Sequence, residues 1–500
     1  MNYFNQLLNR YSMYKVVSGG LTILFVIALV LSIFGYIAYS PLAMIASLLV
    51  LGFSVWLTSI LCGLIFGIRI HHESSFITAV ILFFIVTPTI ELSGLAALLL
   101  VGMIAGASKF ILVYKGRHIF NPAAIAVFIA SIIGVAHASW WVGTPVLAIP
   151  AFILGFAILQ KTRRVPSSGT FLALASVLVI AMLISQGSSV GESLILWFSW
   201  PILFFSSFML TEPLTLPKKK WQQIFEAVIV AVIFAIPFSI GEFSSSPAFA
   251  LIVGNIIAFV FAHREKLILT FKEQKQLTPS SFEFIFTPNS IQHFEPGQYL
   301  EIQVPSKKDD FRGSRRSFSI TSAPDEKTIR LGVKFYEPSS TLKRALKELK
   351  KGSVIQSTGI SGDFTLPKDR LKPLVYIAGG IGITPFMSHL QYLKRQKEVR
   401  DIVLFYAVSS VDEIAYQDIL IKSGIRVFIV TKSNKTLTLP DNWTHVNAQY
   451  LTKELFVKHV ADIADRTAFI SGPPAMIDGA KKQLKELQLK HIKTDYFIGY

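Results

Sequence analysis

The hydrophobic pattern divides the chain into two parts. Before about residue 266, long apolar runs such as 20–38 and 44–61 approach the roughly 20 residues with which a helix crosses a bilayer. After that point, apolar and polar residues first alternate in short stretches, and then short buried runs alternate with helical patterns. We therefore expect a membrane domain followed by domains that face water.

Polar breaks in the first part predict about ten membrane-spanning helices. They fall near residues 16–38, 44–68, 76–86, 95–113, 123–135, 146–159, 170–185, 194–210, 224–240 and 248–262. The short spans on either side of KGRHIFNPAA (115–124) favour helices interrupted at a binding site, because broken helices at membrane depth usually line a cavity. A tight Asn-Pro helix start without a ligand fits the same spacing equally well.

Charge predicts how the membrane domain is oriented. Up to Lys266 there are 14 Lys and Arg residues and 7 Glu, and the first Asp of the chain is Asp309. The basic residues cluster in alternate loops, and the loops between them carry none. By the positive-inside rule we expect a multi-pass protein of the cell membrane with both termini in the cytoplasm.

Composition excludes several other classes of protein and of binding site. The net charge of +17 is best explained by these loop charges, so we expect a lipid bilayer and no nucleic acid as partner. The single cysteine, Cys62, excludes disulfides within the chain and cysteine-ligated iron–sulfur clusters. The first apolar run is long and a second follows at once, so we expect no cleaved signal peptide. We expect no metal site.

The second part predicts two further domains. Strands such as LILTFKE, SFEFIFT and RSFSITS predict an antiparallel β-barrel over 267–370. Buried runs such as LVYIA and DIVLFYAV, separated by helical patterns, predict an α/β nucleotide-binding domain over 371–500. A barrel followed by such a domain suggests two ligands that meet at the interface.

Two short motifs carry candidate chemistry. In RRSFSITS, alternation along a strand puts Arg316 and Phe318 on one face, where a guanidinium can hold a diphosphate and an aromatic ring can cover a planar one. In LVYIAGGIGITPF, the glycines after a buried strand let the backbone approach a phosphate, and Pro385 suits a helix start. Each motif alone fits a structural role as well.

Together and in this order, the motifs resemble the ferredoxin reductase family of flavin and nicotinamide oxidoreductases. The resemblance covers essentially the whole second part, through RSFS, SSTLKRAL, GISGDFTLP, GGIGITP, SGPPAM and the closing DYFIGY. It implies an NAD(P)H-dependent flavin oxidoreductase that binds FAD and transfers hydride. Phe318 stands where Tyr is commoner, and Ser471 where many members have Cys.

The resemblance also implies roles for individual residues. The implied FAD contacts are Arg316, Phe318, Ser319, Ser340 and Thr341. The implied NAD(P)H contacts are Gly379, Gly380, Gly382, Thr384, Gly472 and Pro473. Phe497 or Tyr500 would cover the flavin, and Ser319, Ser471 and Tyr500 would lie at the reacting atoms. NADH and NADPH both stay open, because Asp412 and Glu413 favour a free ribose hydroxyl whereas Lys432 favours a 2′-phosphate.

The first part resembles the flavin-carrying membrane subunits of the sodium-pumping NADH:quinone reductase and of the Rnf complex. GRHIFNPAA, GTPVL, SFMLTEPLT and FSSSPAFALIVGN carry this resemblance, from about 116 to 261. It implies an FMN on Thr144. The family's attachment signal begins with an Asp that this part lacks, which argues against a covalent bond. Trp140 and Trp141 fit either stacking on a flavin or an aromatic belt at the membrane interface, and the belt is favoured.

We therefore expect a membrane flavoprotein that passes electrons from NAD(P)H through FAD to a quinone, a flavin or another acceptor. A haem path is disfavoured, because His71, His72, His118, His137 and His263 lie at or near span ends. The alternative is a redox-linked ion or solute transporter with a regulatory reductase domain. Lys109 is its chief intramembrane candidate, although a lysine near a span end could also snorkel to the interface.

Overall fold

A computed structural model describes residues 8, 11–67, 70–114, 117–162, 164–212, 215, 217, 220–240, 243–261, 267–290, 292–304, 310, 315–432 and 439–496. These residues form two compact units, Leu7–Glu265 and Lys266–Tyr500. Each unit has hydrophobic cores of its own.

The first unit is helical. Its helices are α1 (Met13–Ile33), α2 (Pro41–Phe66), α3 (His72–Ile85), α4 (Leu92–Ile111), α5 (Pro122–Ile132), α6 (Pro145–Thr162), α7 (Val165–Ser185), α8 (Val190–Trp197), α9 (Ile202–Phe204), α10 (Lys220–Ala235) and α11 (Pro247–Phe261). A π-helical turn, Phe205–Met209, continues α9. Two small hairpins pair β1 (Val113–Tyr114) with β2 (Arg117–His118) and β3 (Ser239–Ile240) with β4 (Phe243–Ser244).

The prediction of about ten spans is not supported. Among the described residues, five helices are long and apolar enough to cross a membrane, or six if the bent pair Val190–Trp197 and Ile202–Met209 is one span. An apolar run does not itself mark where a helix starts and stops. The helix α5, for example, has 11 residues and so measures only about 16 Å, against a hydrocarbon core of about 30 Å.

Local signals explain these helix ends. Ser40 and Asn121 cap α2 and α5, and in both cases proline occupies the first helical position, where its missing N–H costs nothing. At the other end of α2, Gly67 adopts φ +63°, a left-handed conformation that glycine tolerates best.

The second unit begins with an antiparallel sheet. Its strands are β5 (Leu267–Thr278), β6 (Ser281–Pro288), β7 (Tyr299–Gln303), β8 (Arg315–Ser319), β9 (Ile329–Lys334) and β10 (Val354–Ser361), in the order β8-β7-β10-β5-β6-β9. A bridge between Ile320 and Leu331 brings the two edges together. One helix, α12 (Thr341–Lys347), lies between β9 and β10. The arrangement matches the predicted barrel.

A six-stranded parallel sheet follows. It contains β11 (Leu374–Gly379), β12 (Ile402–Ala407), β13 (Arg426–Val430), β14 (Trp443–Val446), β15 (Thr467–Gly472) and β16 (Ile492–Tyr496), with helices α13 (Thr384–Arg395), α14 (Gln417–Ser423), α15 (Lys453–His459) and α16 (Pro474–Glu486). The strand order is β14-β13-β12-β11-β15-β16. The order reverses between β11 and β15, and open α/β sheets bind ligands at the carboxyl edge of such a switch point.

Candidate functional site

The glycine turn lies at this switch point. Gly380 adopts φ +53°, and no atom lies within 4 Å of the position that a Cβ would take there, so the space beside the backbone is open. A Cβ on Gly382 would instead overlap the carbonyl oxygen of Ser471 at the end of β15. One glycine therefore opens the turn and the other packs it against the neighbouring strand. This geometry fits a dinucleotide diphosphate close to the backbone.

Three polar residues lie near this turn, at the carboxyl edge of the sheet. Ser471 on β15 and Asp495 on β16 are paired in register at the carboxyl edge of the sheet. From the barrel, the Ser319 hydroxyl donates to Asp495 Oδ2 at 3.2 Å. Both serines are buried, and Ser471 Oγ has no hydrogen-bond partner among the described residues. A buried hydroxyl without a partner fits a site that a ligand completes.

Sequence reasoning missed Asp495. The residue belongs to the closing segment DYFIGY, but no role was predicted for it. The signal was its position, because an acidic residue at the end of the last strand must lie at the carboxyl edge. Phe497 and Tyr500, which were predicted to cover the flavin, lie outside the described residues.

The predicted FAD contacts occupy the edge strand β8 and the start of α12. Arg316 and Phe318 lie on β8, and Phe318 is part of the barrel's apolar core. Ser340 caps α12 by accepting from the Lys343 amide, and the Thr341 amide donates to Asp310 Oδ2 at 2.9 Å. These four positions stay predictions.

The remaining nucleotide positions frame the turn. Thr384 begins α13, is fully buried, and donates through its hydroxyl to the Ile381 carbonyl at 2.9 Å. A Cβ on Gly379 would crowd Pro473, which precedes α16. Gly472 ends β15 directly before that proline. The structure thus brings together Gly379, Gly380, Gly382, Thr384, Gly472 and Pro473, and their role in binding NAD(P)H stays a prediction.

The helix α13 is fixed to the barrel by polar contacts. Ser388 donates to the Ser322 carbonyl at 2.8 Å, and Gln391 donates to the Thr321 carbonyl at 2.7 Å. At the same junction, Gly332 on β9 packs closely against Thr384 and Tyr416. A Cβ at this position would lie only 2.5 Å from Thr384 Cγ2 and 2.5 Å from the Tyr416 hydroxyl oxygen, so only glycine fits. These contacts therefore fix the position of the glycine turn relative to the barrel.

Glu413 forms a second connection between these domains. Its Oε2 accepts from Lys334 Nζ at 2.8 Å and from Ser280 Oγ at 2.5 Å, and Thr278 Oγ1 lies 3.4 Å away. Partial burial alone would raise the pKa of this carboxyl, but the hydrogen bonds and the charge of Lys334 lower it. These contacts hold one carboxylate oxygen of Glu413 against the barrel. Asp412 and Lys432 are exposed, so both cofactors stay open.

His389 lies inside the nucleotide-binding domain. One ring nitrogen lies 3.1 Å from the Tyr376 hydroxyl and the other 2.9 Å from the Phe364 carbonyl oxygen. Complete burial lowers the pKa of His389 to about 3, so the ring is neutral at physiological pH. The contact with Phe364 ties α13 to the segment that links the barrel to the parallel sheet.

In the first unit, polar side chains gather at the start of α5. Asn121 caps the helix through the amides of Ala123 and Ala124. The Asn121 backbone N–H donates to Asn255 Oδ1 at 2.7 Å, and the side-chain Nδ2 donates to Glu212 Oε2 at 2.8 Å. Glu212 Oε1 also contacts His118 Nε2 at 3.1 Å. The Asn-Pro helix start is therefore real, and it belongs to a larger polar cluster.

Lys109 does not snorkel out of the bundle. Its ammonium donates to the Ser74 carbonyl at 3.1 Å and to the Ser74 hydroxyl oxygen at 3.2 Å, which connects α4 to α3. The lysine thus satisfies its donors on a neighbouring helix.

The two tryptophans before Thr144 also lie inside the bundle. Trp140 and Trp141 are 7% and 5% exposed, and the Trp141 indole donates to the Phe83 carbonyl at 2.7 Å. Belt residues would face lipid and water, so the belt interpretation is wrong. Neither ring presents a free face for flavin stacking in this arrangement, because both pack into the core.

Thr144 does not fit an attached FMN in this packing. Its hydroxyl is buried without a hydrogen-bond partner among the described residues, beside Trp197, Trp200 and Phe204. The cavity there measures about 10 Å³, roughly the space for one water. The phosphoryl group of FMN is far larger. An adjoining apolar groove of about 490 Å³ shares Ala148, Trp197, Phe198 and Leu203 with this cavity, but Thr144 is not among its lining residues.

The described histidines of this unit do not form a haem site. His71 and His72 lie at the start of α3, His118 on β2, and His137 in a loop. His263 lies outside the described residues. No two of the four described histidines face each other from helix interiors, as the two axial ligands of a haem would.

Comparison with known proteins supports the interpretation of the second unit. Residues 376–482 match the oxidoreductase NAD-binding domain family. A flavohemoprotein from Oceanobacillus iheyensis is 27% identical over 45% of this chain and 55% of its own length. The reductase component of a propane 2-monooxygenase from Mycolicibacterium goodii is 26% identical over 37% of this chain and 53% of its own. The chain thus spans about half the length of these relatives.

Among solved structures, the FAD/NAD-binding domain of a nitric oxide dioxygenase from Vibrio cholerae aligns with 46% of this chain and 98% of its own, with 21% identity and a TM-score of 0.40. A ferredoxin-NADP+ reductase from Neisseria gonorrhoeae aligns with 46% of this chain and 98% of its own, with 18% identity and a TM-score of 0.39. The second unit is a ferredoxin reductase-like module for FAD and NAD(P)H, as the family match and the curated relatives indicate.

Proposed function

We propose that the protein is a membrane flavoprotein that takes hydride from cytoplasmic NAD(P)H to FAD and passes electrons into or across the bilayer. The observation that carries the proposal is the Ser319–Asp495 hydrogen bond next to Ser471 at the carboxyl edge of the parallel sheet, in a chain whose described residues include five or six helices apolar and long enough to span a membrane. FAD supplies the conversion between two-electron and one-electron transfer when it is bound.

The chain's own residues have the following proposed roles. Arg316 and the Ser340–Thr341 turn hold the FAD diphosphate, and the glycine turn with Thr384 holds the NAD(P)H diphosphate. Ser319 and Asp495 hold a proton in a hydrogen bond beside the reacting atoms, with Ser471 lining the same edge. The contacts of α13 and Glu413 with the barrel keep the FAD-binding and NAD(P)H-binding surfaces in a fixed relative position.

The acceptor is proposed to be a quinone, a flavin or another redox group of the membrane unit. The resemblance of residues 116–261 to flavin-carrying membrane subunits supports this class. A bilayer core of about 30 Å is too wide for one efficient electron hop, so a redox group is needed between its faces. Because Thr144 does not fit FMN in the observed packing, no step is assigned to that residue.

Flavin analysis tests the proposal directly. The detergent-solubilised protein is analysed before and after acid precipitation, together with mass spectrometry of the peptide that contains Thr144. Release of FAD, with NAD(P)H turnover that depends on it, supports the proposal. An FMN mass on the Thr144 peptide would add a second flavin and require that segment to rearrange. Absence of bound FAD would contradict the proposal.

A redox-linked transporter is the second candidate. The buried polar groups of the first unit favour it, because ionisable residues in membrane helices are costly and usually functional. Ion flux in the absence of NAD(P)H would support a transporter, whereas NAD(P)H oxidation without flux would support a reductase.

A further inference from the structure

Two aliphatic side chains of the second unit are almost fully exposed. Leu371 is 92% exposed and Val399 is 93% exposed, more than any other large hydrophobic residue that the structure describes. Exposed aliphatic residues that are scattered singly need no explanation, but a group of them marks an interaction site. The position of these two residues in the fold therefore decides whether they act together.

The fold places both residues at the amino edge of the parallel sheet. Strands β11 and β12 are neighbours, and Leu374 is paired in register with Ile402. Leu371 comes three residues before the first of these positions, and Val399 comes three residues before the second. Because the strands run parallel, the two residues lie on adjacent loops at the edge opposite the glycine turn.

Polar contacts hold these two loops together. Arg400, just before β12, donates through Nη1 to the Pro367 carbonyl at 2.9 Å and through Nε to Glu398 Oε1 at 2.6 Å. From the other loop, Arg370 Nε lies 3.5 Å from Glu398 Oε2. The two exposed side chains are therefore carried on loops that are fixed relative to each other.

Segments 366–373 and 394–401, which contain these loops, form what we call the amino-edge patch. They carry seven Lys and Arg residues against three Asp and Glu, a net charge of +4. The acidic residues already have partners, because Glu398 and Asp401 pair with arginines and Asp369 Oδ1 accepts a backbone amide of its own loop at 3.0 Å. Four lysines form no ion pair with a described residue: Lys368, Lys372, Lys394 and Lys397. The patch thus combines two apolar side chains with four positive charges that have no acidic partner.

This combination fits an anionic lipid surface. Aliphatic side chains enter the headgroup region of a membrane, and lysines around them are attracted to the phosphates of anionic lipids. A nucleic acid would use the lysines but not the apolar side chains, and an apolar protein groove would use the apolar side chains but not the charge. The chain also keeps the second unit near a bilayer, since only residues 262–266 separate α11 from β5, and this connection reaches at most about 20 Å.

We propose that the amino-edge patch docks on the anionic lipids of the membrane: Leu371 and Val399 enter the headgroup region, and the four lysines contact lipid phosphates. Docking at the amino edge leaves the opposite, carboxyl edge of the sheet open to NAD(P)H. It requires that the first unit spans a membrane, but it requires no electron transfer, so it goes beyond the proposed function.

Spin labelling of the full chain in lipid nanodiscs tests this docking. Cys62, the only cysteine, is changed to Ser, and Leu371→Cys carries a nitroxide. The nitroxide collides with oxygen, which concentrates in lipid, and with a water-soluble nickel chelate. We expect the ratio of these collision rates to be severalfold higher in discs that contain phosphatidylglycerol than in discs of phosphatidylcholine alone. High salt should reverse the change, because it screens the lysines. Replacement of all four lysines by Gln should also reverse it.

Tyr450→Cys, labelled in the same background, is the matched control. Tyr450 is 71% exposed but follows β14 at the carboxyl edge of the sheet, so its label should stay in water in every disc. An unchanged collision ratio at position 371 in anionic discs would overturn lipid docking. The same ratio in both kinds of disc would do so too, as would shielding of the label from both reagents, which indicates a contact with protein.

Catalysis separates this docking from the proposed function. Reduction of FAD by NAD(P)H should be normal in the four-lysine variant, because the patch lies at the edge opposite the candidate site. Failure of the wild-type protein to reduce FAD would contradict the proposed function, whereas the collision ratio at position 371 alone decides whether the patch docks on lipid.

Discussion

The two units place their charged residues under opposite constraints. In the reductase unit, ion pairs such as Arg395–Asp325 are half exposed, and water solvates charges that have no partner. In the membrane unit there are only seven Glu and no Asp up to Lys266, and Glu212 and Glu226 point into the bundle. A single charged residue is therefore weak evidence of function in the reductase unit and stronger evidence in the membrane unit.

The two units also differ in how their candidate functional residues can be recognised. In the reductase unit the candidate site residues were predicted from motifs, because spacing along strands and turns decides which residues lie close together. In the membrane unit the notable polar residues become visible only in the structure, through their burial and their hydrogen bonds. The following experiments either sharpen this contrast or remove it.

The largest effect is expected at the carboxyl edge of the parallel sheet. Asp495→Asn keeps an acceptor for the Ser319 hydroxyl but removes the charge, and Ser319→Ala removes the donor. If the pair acts as a proton-holding group, we expect FAD reduction by NAD(P)H to slow by about 100-fold in Asp495→Asn and at least 10-fold in Ser319→Ala. Stopped-flow absorbance at saturating NAD(P)H measures this rate. Asp478→Asn, on α16, is the control; equal slowing there would argue against the pair.

The next effect concerns FAD retention. Arg316→Ala removes a guanidinium that we expect to hold the diphosphate, and hydrogen bonds to charged groups are worth about 1.5–3 kcal/mol. FAD affinity should therefore fall by about 10-fold or more, as measured by FAD content after gel filtration at rising dilution. Arg395→Ala changes an exposed arginine of the same unit and should keep its FAD. Unchanged retention in Arg316→Ala would refute the assigned role.

A smaller effect is expected where Glu413 joins the two domains. Lys334→Met removes the 2.8 Å ion pair and leaves a partly buried carboxylate with fewer donors, at a cost of about 1–2 kcal/mol. We expect hydride transfer to slow about fivefold, with partial recovery in the charge-swapped pair Lys334→Glu with Glu413→Lys. Lys272→Met alters an exposed pair and should change nothing. Loss of FAD instead of slower transfer would indicate a purely structural role.

The last effect is absent at neutral pH and is a pH dependence of stability that His389 causes. An unfolded histidine takes up a proton near pH 6.5, whereas the buried ring resists protonation until about pH 3. Stability from this residue is thus complete above pH 6.5 and decreases by up to about 1.4 kcal/mol per pH unit as pH falls towards 3. Urea unfolding followed by FAD fluorescence should show this slope. It should be reduced in His389→Gln and retained when exposed His293 is changed to Gln.

Much of the reductase unit could be predicted from the sequence. The alternation in SFEFIFT predicted a strand that the structure shows as β6, and the buried run LVYIA predicted β11. The glycines that follow LVYIA predicted the turn after β11. Asp495 was missed because its role depends on a contact with Ser319, 176 residues earlier, that no local pattern contains. The contact of Glu413 with Lys334 was missed for the same reason, because Lys334 lies in another domain.

The membrane unit was harder because hydropathy does not mark where a helix stops. The apolar run at 123–135 contains a helix of only 11 residues, which Asn121 and Pro122 start. The buried positions of Trp140 and Trp141 depend on contacts with α3 that sequence spacing does not reveal.

The central claim is that electrons from NAD(P)H pass through FAD into the membrane unit. Its most direct test uses proteoliposomes that contain trapped ferricyanide, with NAD(P)H added outside. We predict that the trapped acceptor is reduced in proportion to the NAD(P)H consumed, and that Arg316→Ala abolishes both changes. NAD(P)H oxidation that depends on FAD but leaves the trapped acceptor oxidised, while reducing only an acceptor outside, would contradict electron transfer across the membrane. An added lipid quinone then distinguishes transfer into the bilayer, which the account also allows, from no transfer, which would refute it.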